Sequence, residues 1–132
     1  MSKSGGCRCG AVRYEVEGDP EHSTLCWCNE CRGSSGAPVV LWTLFGREQV
    51  RIEGDPVDYE SSPGTHRQFC GMCGTGLFYL NEGIFAGKID IQGATFDEPD
   101  AFAPQAHIQT ADAPAWRTAM HTLPGFERYP AG

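Results

Sequence analysis

Seven cysteines fall into three groups: Cys7 with Cys9, Cys26 with Cys28 and Cys31, and Cys70 with Cys73. Each group is a chelating unit. In Cys-x-Cys the two residues point to the same side of an extended chain, and in Cys-x-x-Cys a tight turn lets both sulfurs reach one ion. In "FCGMCG" a glycine follows each cysteine, which lets backbone amides approach and hydrogen-bond the sulfurs. Thiolate-rich sets of this kind favour Zn²⁺, and the spacing lacks the close cysteine runs of ferredoxins. Seven is four plus three. A closed structural zinc site takes four ligands, whereas a reactive one keeps three and an open position.

The spacing leaves the partition open. Cys28 and Cys31 could join Cys70 and Cys73, or Cys7 and Cys9 could join Cys70 and Cys73. Two structural sites are also possible if His22, His66, His107 or His121 completes the second, and a surplus cysteine could be a plain buried thiol. A zinc deaminase would need H-x-E and P-C-x-x-C. No histidine here is followed two residues later by Glu, and Phe69 precedes Cys70.

The elements that must position these thiols read as short strands. "AVRYEVE" from Ala11 alternates, with Val12, Tyr14 and Val16 on one face. "PVVLWTLF" from Pro38 reads as a more buried strand, followed by "EQVRIE", "VDYES" and "HRQFC". "GLFYL" and "GIFAGKID" predict a hairpin across Asn81, Glu82 and Gly83. After Asp97 the chain is irregular, and "ADAPAWRTAM" predicts one or two helical turns with Pro114 in the first. The two "GDP" tripeptides are turn signals, and "GTGLF" lacks the spacing of a phosphate-binding loop. The 17 glycines and 9 prolines agree with many turns. The expectation is an all-β fold of short antiparallel strands in one domain, residues 1–132, with a core over about 5–130.

Bulk properties exclude several functions. The net charge of −7 opposes non-specific binding to nucleic acid or to an anionic membrane surface. The longest mostly apolar run, Ala37 to Gly46, is half the roughly 20 residues a spanning helix needs. "MSKSGGCRCG" has no apolar signal-peptide core, so a cytoplasmic location is expected. In that reducing compartment cysteines serve as metal ligands more readily than as disulfides.

The stretches "GGCRCGAVRYEVEG", "CWCNECRGSSGAP" and "YESSPGTHRQFCGMCGTGL", with "APQAHI" and "LPGFERYP" in the tail, resemble the GFA family. These are the glutathione-dependent formaldehyde-activating enzymes, whose domain is shared with centromere protein V. The resemblance implies a zinc-containing β fold of the Mss4-like type. It also implies a partition of two zinc ions: Cys7, Cys9, Cys70 and Cys73 hold a structural one, and Cys26, Cys28 and Cys31 hold a catalytic one whose fourth ligand exchanges. The implied activity is that of a carbon–sulfur lyase, joining glutathione to formaldehyde as S-hydroxymethylglutathione or handling a related thiol adduct. The alternatives are a non-catalytic zinc-binding module and an enzyme acting on another small thiol. The partners expected are thus a small thiol and an aldehyde, with a homodimer possible.

One position departs from the family. Trp27 stands where a histidine is common between the first two cysteines of the triplet. An intervening residue points away from the metal, so ligation is expected to survive. Glutathione carries two carboxylates, for which Arg32 and Arg67 are the candidates; as ordinary surface charges they need no such role. His107, in the shared tail motif, is a candidate proton carrier at the second zinc. Ser34 and Ser35 read as turn residues, and Trp42, Trp116 and Phe126 as packing.

Overall fold

The structure is a computed structural model that describes residues 1–130; residues 131–132, which the single-domain expectation takes in, lie outside it. Ten strands and one short helix account for most of the regular structure. They are β1 (Ser2–Gly6), β2 (Arg13–Glu17), β3 (His22–Cys26), α1 (Asn29–Ser35), β4 (Val40–Gly46), β5 (Val50–Glu53), β6 (Val57–Ser62), β7 (Thr65–Phe69), β8 (Gly76–Asn81), β9 (Lys88–Gln92) and β10 (Ala106–Ile108). Three strands form a small sheet in the order β1-β2-β5, and seven form a large one in the order β10-β3-β4-β9-β8-β7-β6. All pairings are antiparallel except that of β10 with β3.

Side chains alternate across a strand, so the large sheet has two distinct faces. One face carries Phe45, Ile89 and Ile91, with Phe78 in register with Ile91. These pack with Val12, Tyr14, Val16 and Val50 of the small sheet and its flanks into the main core. Phe45, Val16, Ile89 and Ile91 are fully buried. Burying a side chain of this size contributes about 1.5–3 kcal/mol. Tyr14 also sends its hydroxyl to Thr95 Oγ1 at 2.7 Å, so its polar tip is matched. The second face carries Trp42, Asp90, Tyr79 and Arg67 and builds the site described below.

The structure departs from the sequence expectation at three places. β1 has no alternating pattern, yet it pairs with β2 along its length. The β8–β9 connection is longer than a three-residue turn: the residues "EGIFAG" lie outside both strands, and β9 begins only at Lys88. α1 falls in a stretch read as a turn. The tail does form helical turns, 3₁₀ in character, at Thr110–Asp112 and Ala115–Thr122, with Pro114 as the N-cap.

On the outer strands His66 Nδ1 lies 2.8 Å from Asp58 Oδ2, with Glu60 and Glu82 near its other nitrogen. The hydrogen bond to Asp58 raises the His66 pKa, and hydrogen bonds from Gln68 first and His66 second lower that of Asp58. The pair therefore stabilises the fold in a window. Its contribution fades as pH falls through the depressed Asp58 value and is lost as pH rises through the raised His66 value. In an NMR titration, the His66 ring is expected to show a midpoint above about 6.5, returning toward about 6.5 in Asp58→Asn. An unchanged midpoint in that variant would exclude the pairing.

Candidate functional site

The first cysteine cluster forms where the two sheets meet. Cys7 and Cys9 lie in the β1–β2 turn and Cys70 and Cys73 in the β7–β8 turn. Gly10 and Gly74, at φ 84° and 82°, close the two knuckles in the left-handed region that glycine adopts freely. Their amides bond back to the Cys7 and Cys70 carbonyls. Further amides reach the sulfurs, from Val12 to Cys7 Sγ at 3.2 Å and from Met72 to Cys70 Sγ at 3.3 Å. All four sulfurs lie within 4.8 Å of one another. Cys9 Sγ is 3.7 Å from Cys7 Sγ and 3.8 Å from Cys70 Sγ. Four sulfurs placed tetrahedrally about one zinc at about 2.3 Å would sit roughly 3.8 Å apart.

The second cluster is built by the β3–α1 junction. Cys26 ends β3, Cys28 is the N-cap of α1, and Cys31 lies three residues inside it. The Cys28 sulfur accepts the Cys31 amide at 3.2 Å, as a capping side chain does, and this folds the Cys-x-x-Cys turn. Gly36 closes the helix, its amide bonding to the Arg32 carbonyl. Ser34 and Ser35 donate to the Cys31 carbonyl at 3.2 and 2.7 Å, so their hydroxyls serve the helix end. The three sulfurs lie within 4.8 Å of one another. Cys31 also accepts from Trp42 Nε1 at 3.4 Å and from Arg67 Nη2 at 3.7 Å.

The ionisation of the two clusters shows why they suit a dication. In the triplet, Cys31 is pulled down to about 5, first by its hydrogen bond from Cys26 and then by Cys28, Trp42 and Arg67, against the opposing effect of burial. Cys26 is pushed up by Cys31 and by burial, and Cys28 is pushed up chiefly by burial. In the quartet, Cys73 falls to about 5 through Thr75 while Cys9 rises to about 11. Packed thiols cannot all ionise together unless a cation joins them. Donor chemistry and spacing both fit a soft divalent ion.

The triplet opens into a cavity of about 550 Å³. Its walls include Trp42, Tyr79 and Arg67 from the large sheet, Ile84 and Phe85 from the β8–β9 connection, and Ile108 from β10. Arg67 stacks over the Tyr79 ring at 5.0 Å, which fixes the guanidinium beside Cys31. Asp90 also lines the cavity and is buried. Burial, with the nearby Cys31 charge second, pushes its carboxyl up to about 7. Sequence reasoning missed Asp90. The alternation of "KIDIQ" does place it opposite Ile89 and Ile91, but nothing in that pattern shows the second face to be covered.

Other candidates lie elsewhere. Arg32 bonds to the Asp112 carbonyl at 3.1 Å and to Asn29 Oδ1, tying α1 to the tail outside the cavity. His107 pairs in register with Leu25, between Thr24 and Cys26 partners that face the cavity, so its side chain takes the other side of the sheet. There its Nδ1 accepts the Trp27 indole N–H at 2.9 Å. Trp27 is buried, meets Trp116 edge-on and lies under Arg117. This tryptophan therefore fastens the tail to the back of the triplet, and its ring lies away from the sulfurs' open side. His22 lines the cavity, whereas His66 belongs to the outer strands.

Comparison with known proteins gives consistent results. The family profile described as glutathione-dependent formaldehyde-activating enzyme matches residues 2–112. A Halomonas elongata protein provisionally named as such an enzyme is 33% identical over 91 residues, which is 61% of this chain and 57% of that protein. The matched chain thus spans little more than half the length of that relative. A Schizosaccharomyces pombe protein described as an uncharacterized lyase is 26% identical over 82% of this chain and 90% of its own. A solved Rhodobacter sphaeroides protein shares the fold, with a TM-score of 0.63, 21% identity, and coverage of 79% of this chain and 98% of that one.

Proposed function

The chain belongs to the glutathione-dependent formaldehyde-activating family, and from that premise we propose that it is a zinc-dependent carbon–sulfur lyase acting on a glutathione–aldehyde adduct. The observation that carries this reading is the convergence of three thiols, with Arg67 beside them, on the wall of one cavity. A zinc ion held by these thiolates would supply an exchangeable position for a substrate thiol and favour its ionised form. The quartet of Cys7, Cys9, Cys70 and Cys73 would hold a second, structural zinc.

The chain's own residues do the rest. Arg67 sets a fixed positive charge against the sulfurs and can also meet a substrate carboxylate. Trp42, Ile84, Phe85 and Ile108 give the cavity an apolar side that excludes water from the reacting carbon. In the forward direction the thiol loses its proton and its sulfur forms a bond to the formaldehyde carbon. The carbonyl π pair moves to oxygen, which takes a proton and becomes the hydroxyl. In reverse the hydroxyl gives up its proton and the carbon–sulfur bond breaks.

Cobalt-substituted protein provides the test, because its thiolate charge-transfer and d–d bands report coordination. Glutathione is expected to change these bands saturably, and Cys28→Ser is expected to abolish the change. Cys28 is the least buried sulfur of the triplet, so this substitution disturbs packing least. A fully metallated protein whose spectrum ignores glutathione would overturn the reading.

A further inference from the structure

Among the described residues, three buried side-chain atoms have no hydrogen-bond partner: His22 Nδ1, Thr24 Oγ1 and Asp90 Oδ1. All three residues line the thiolate cavity. Thr24 and Asp90 are each only 6% exposed. The register of the sheet explains why they share one face. His22 pairs with Leu44, Leu44 with Asp90, Asp90 with Tyr79 and Tyr79 with Arg67, giving one row across five strands. Residues directly opposite each other in antiparallel strands share a face. Thr24, two residues along β3 from His22, shares it too. The row ends at Arg67, which reaches Cys31.

Buried polar atoms are almost always paired, because leaving one unpaired costs free energy. Three on one wall of one cavity mark a place where a ligand supplies the missing partners. Their chemistry limits what that ligand offers. A carboxylate group would face the acidic Asp90. A cationic group would face the guanidinium of Arg67 in the same cavity. The wall suits a neutral hydroxyl, which can donate to Asp90 and accept from Thr24.

We propose that His22, Thr24 and Asp90 form an oxygen-binding wall, which holds a hydroxyl oxygen carried within one or two carbons of the substrate sulfur. The inference rests on the thiol-binding reading above and adds to it the residues that select an oxygenated adduct over a plain thiol or thioether.

The test compares two near-isosteric thiols, 2-mercaptoethanol and propane-1-thiol, by calorimetric titration of the zinc-loaded protein. The affinity ratio in favour of the hydroxyl-bearing thiol is expected to fall roughly 10-fold in Asp90→Leu and roughly fivefold in Thr24→Val, relative to wild type. Thr24→Val keeps the shape of the side chain and serves if the Asp90 variant folds poorly. If both thiols bind and the ratio stays within about twofold across all three proteins, the oxygen wall is wrong while the thiol site stands. If neither thiol binds wild-type protein, the thiol reading fails and takes the oxygen wall with it.

Discussion

On the proposed zinc reading, Cys73→Ser is expected to lower stability by several kcal/mol and to remove one of the two zinc ions assigned to the thiol clusters. The choice of Cys73 matters because it is exposed. Replacing sulfur by oxygen there removes no buried packing, so a large loss would report the ion alone. The quartet joins the β1–β2 turn of the small sheet to the β7–β8 turn of the large one, across more than 60 residues of chain. Binding of a structural zinc is worth about 10–16 kcal/mol in small zinc domains, where it is folding energy outright. Here a hydrophobic core supports the fold as well, so the expected loss is a fraction of that. Even so it is comparable with a total domain stability of about 5–15 kcal/mol. Metal analysis and thermal unfolding together check the outcome. A variant with wild-type zinc content, or one that loses an ion yet melts within about 3 °C of wild type, a shift worth at most about 1 kcal/mol, would show that the quartet does not staple the sheets.

The thiols were legible in the sequence because ligation depends on residue type and short-range spacing, both of which are local. Cys-x-Cys and Cys-x-x-Cys each bring their own sulfurs together, but spacing alone does not show which pairs combine; the family resemblance implied the grouping that the fold brings together. The quartet is set by two turns whose partners are far apart in the chain. The alternation in "RYEVE" also survives into β2, with Tyr14 and Val16 buried. α1 was not legible. "NECRGSS" contains a glycine and two serines, all weak helix formers, and the segment becomes helical because Cys28 caps it and Gly36 ends it. β1 was hidden for a similar reason: "SKSGG" has no apolar period, and its order comes from pairing with β2. The expected role of His107 depended on a tail motif without depth. The parallel pairing of β10 with β3 fixes which side of the sheet that ring takes, and no local pattern encodes a parallel pairing.

Asp90→Asn is expected to stabilise the protein, and increasingly so as pH rises. The Asp90 carboxyl is buried without a partner for Oδ1, and burial pushes it up to about 7 from an ordinary value of 3.8. The sign follows from proton counts. Between those two values the folded state holds a proton that the unfolded state has lost, so wild-type stability falls as pH rises through that range and then levels off above it. The accumulated penalty is about 2 kcal/mol at pH 5.5 and about 4 kcal/mol at pH 8. A buried amide in the same place has its own unmet hydrogen bonds, which cost about 2 kcal/mol. The variant should therefore match wild type at pH 5.5 and exceed it by about 2 kcal/mol at pH 8, a rise in Tm of roughly 8 °C. Thermal unfolding of the two proteins, compared at equal metal content at the two pH values, checks this, and a difference that does not change with pH would show that the carboxyl is not strained by burial. A destabilising group retained beside the thiolates needs a compensating use, because stability and activity often oppose each other at functional sites. The oxygen wall supplies that use: the acid that weakens the empty fold is the group that a bound hydroxyl would satisfy. The oxygen wall therefore predicts that saturating 2-mercaptoethanol raises the Tm of wild type more than that of Asp90→Leu, whose side chain can bond no hydroxyl.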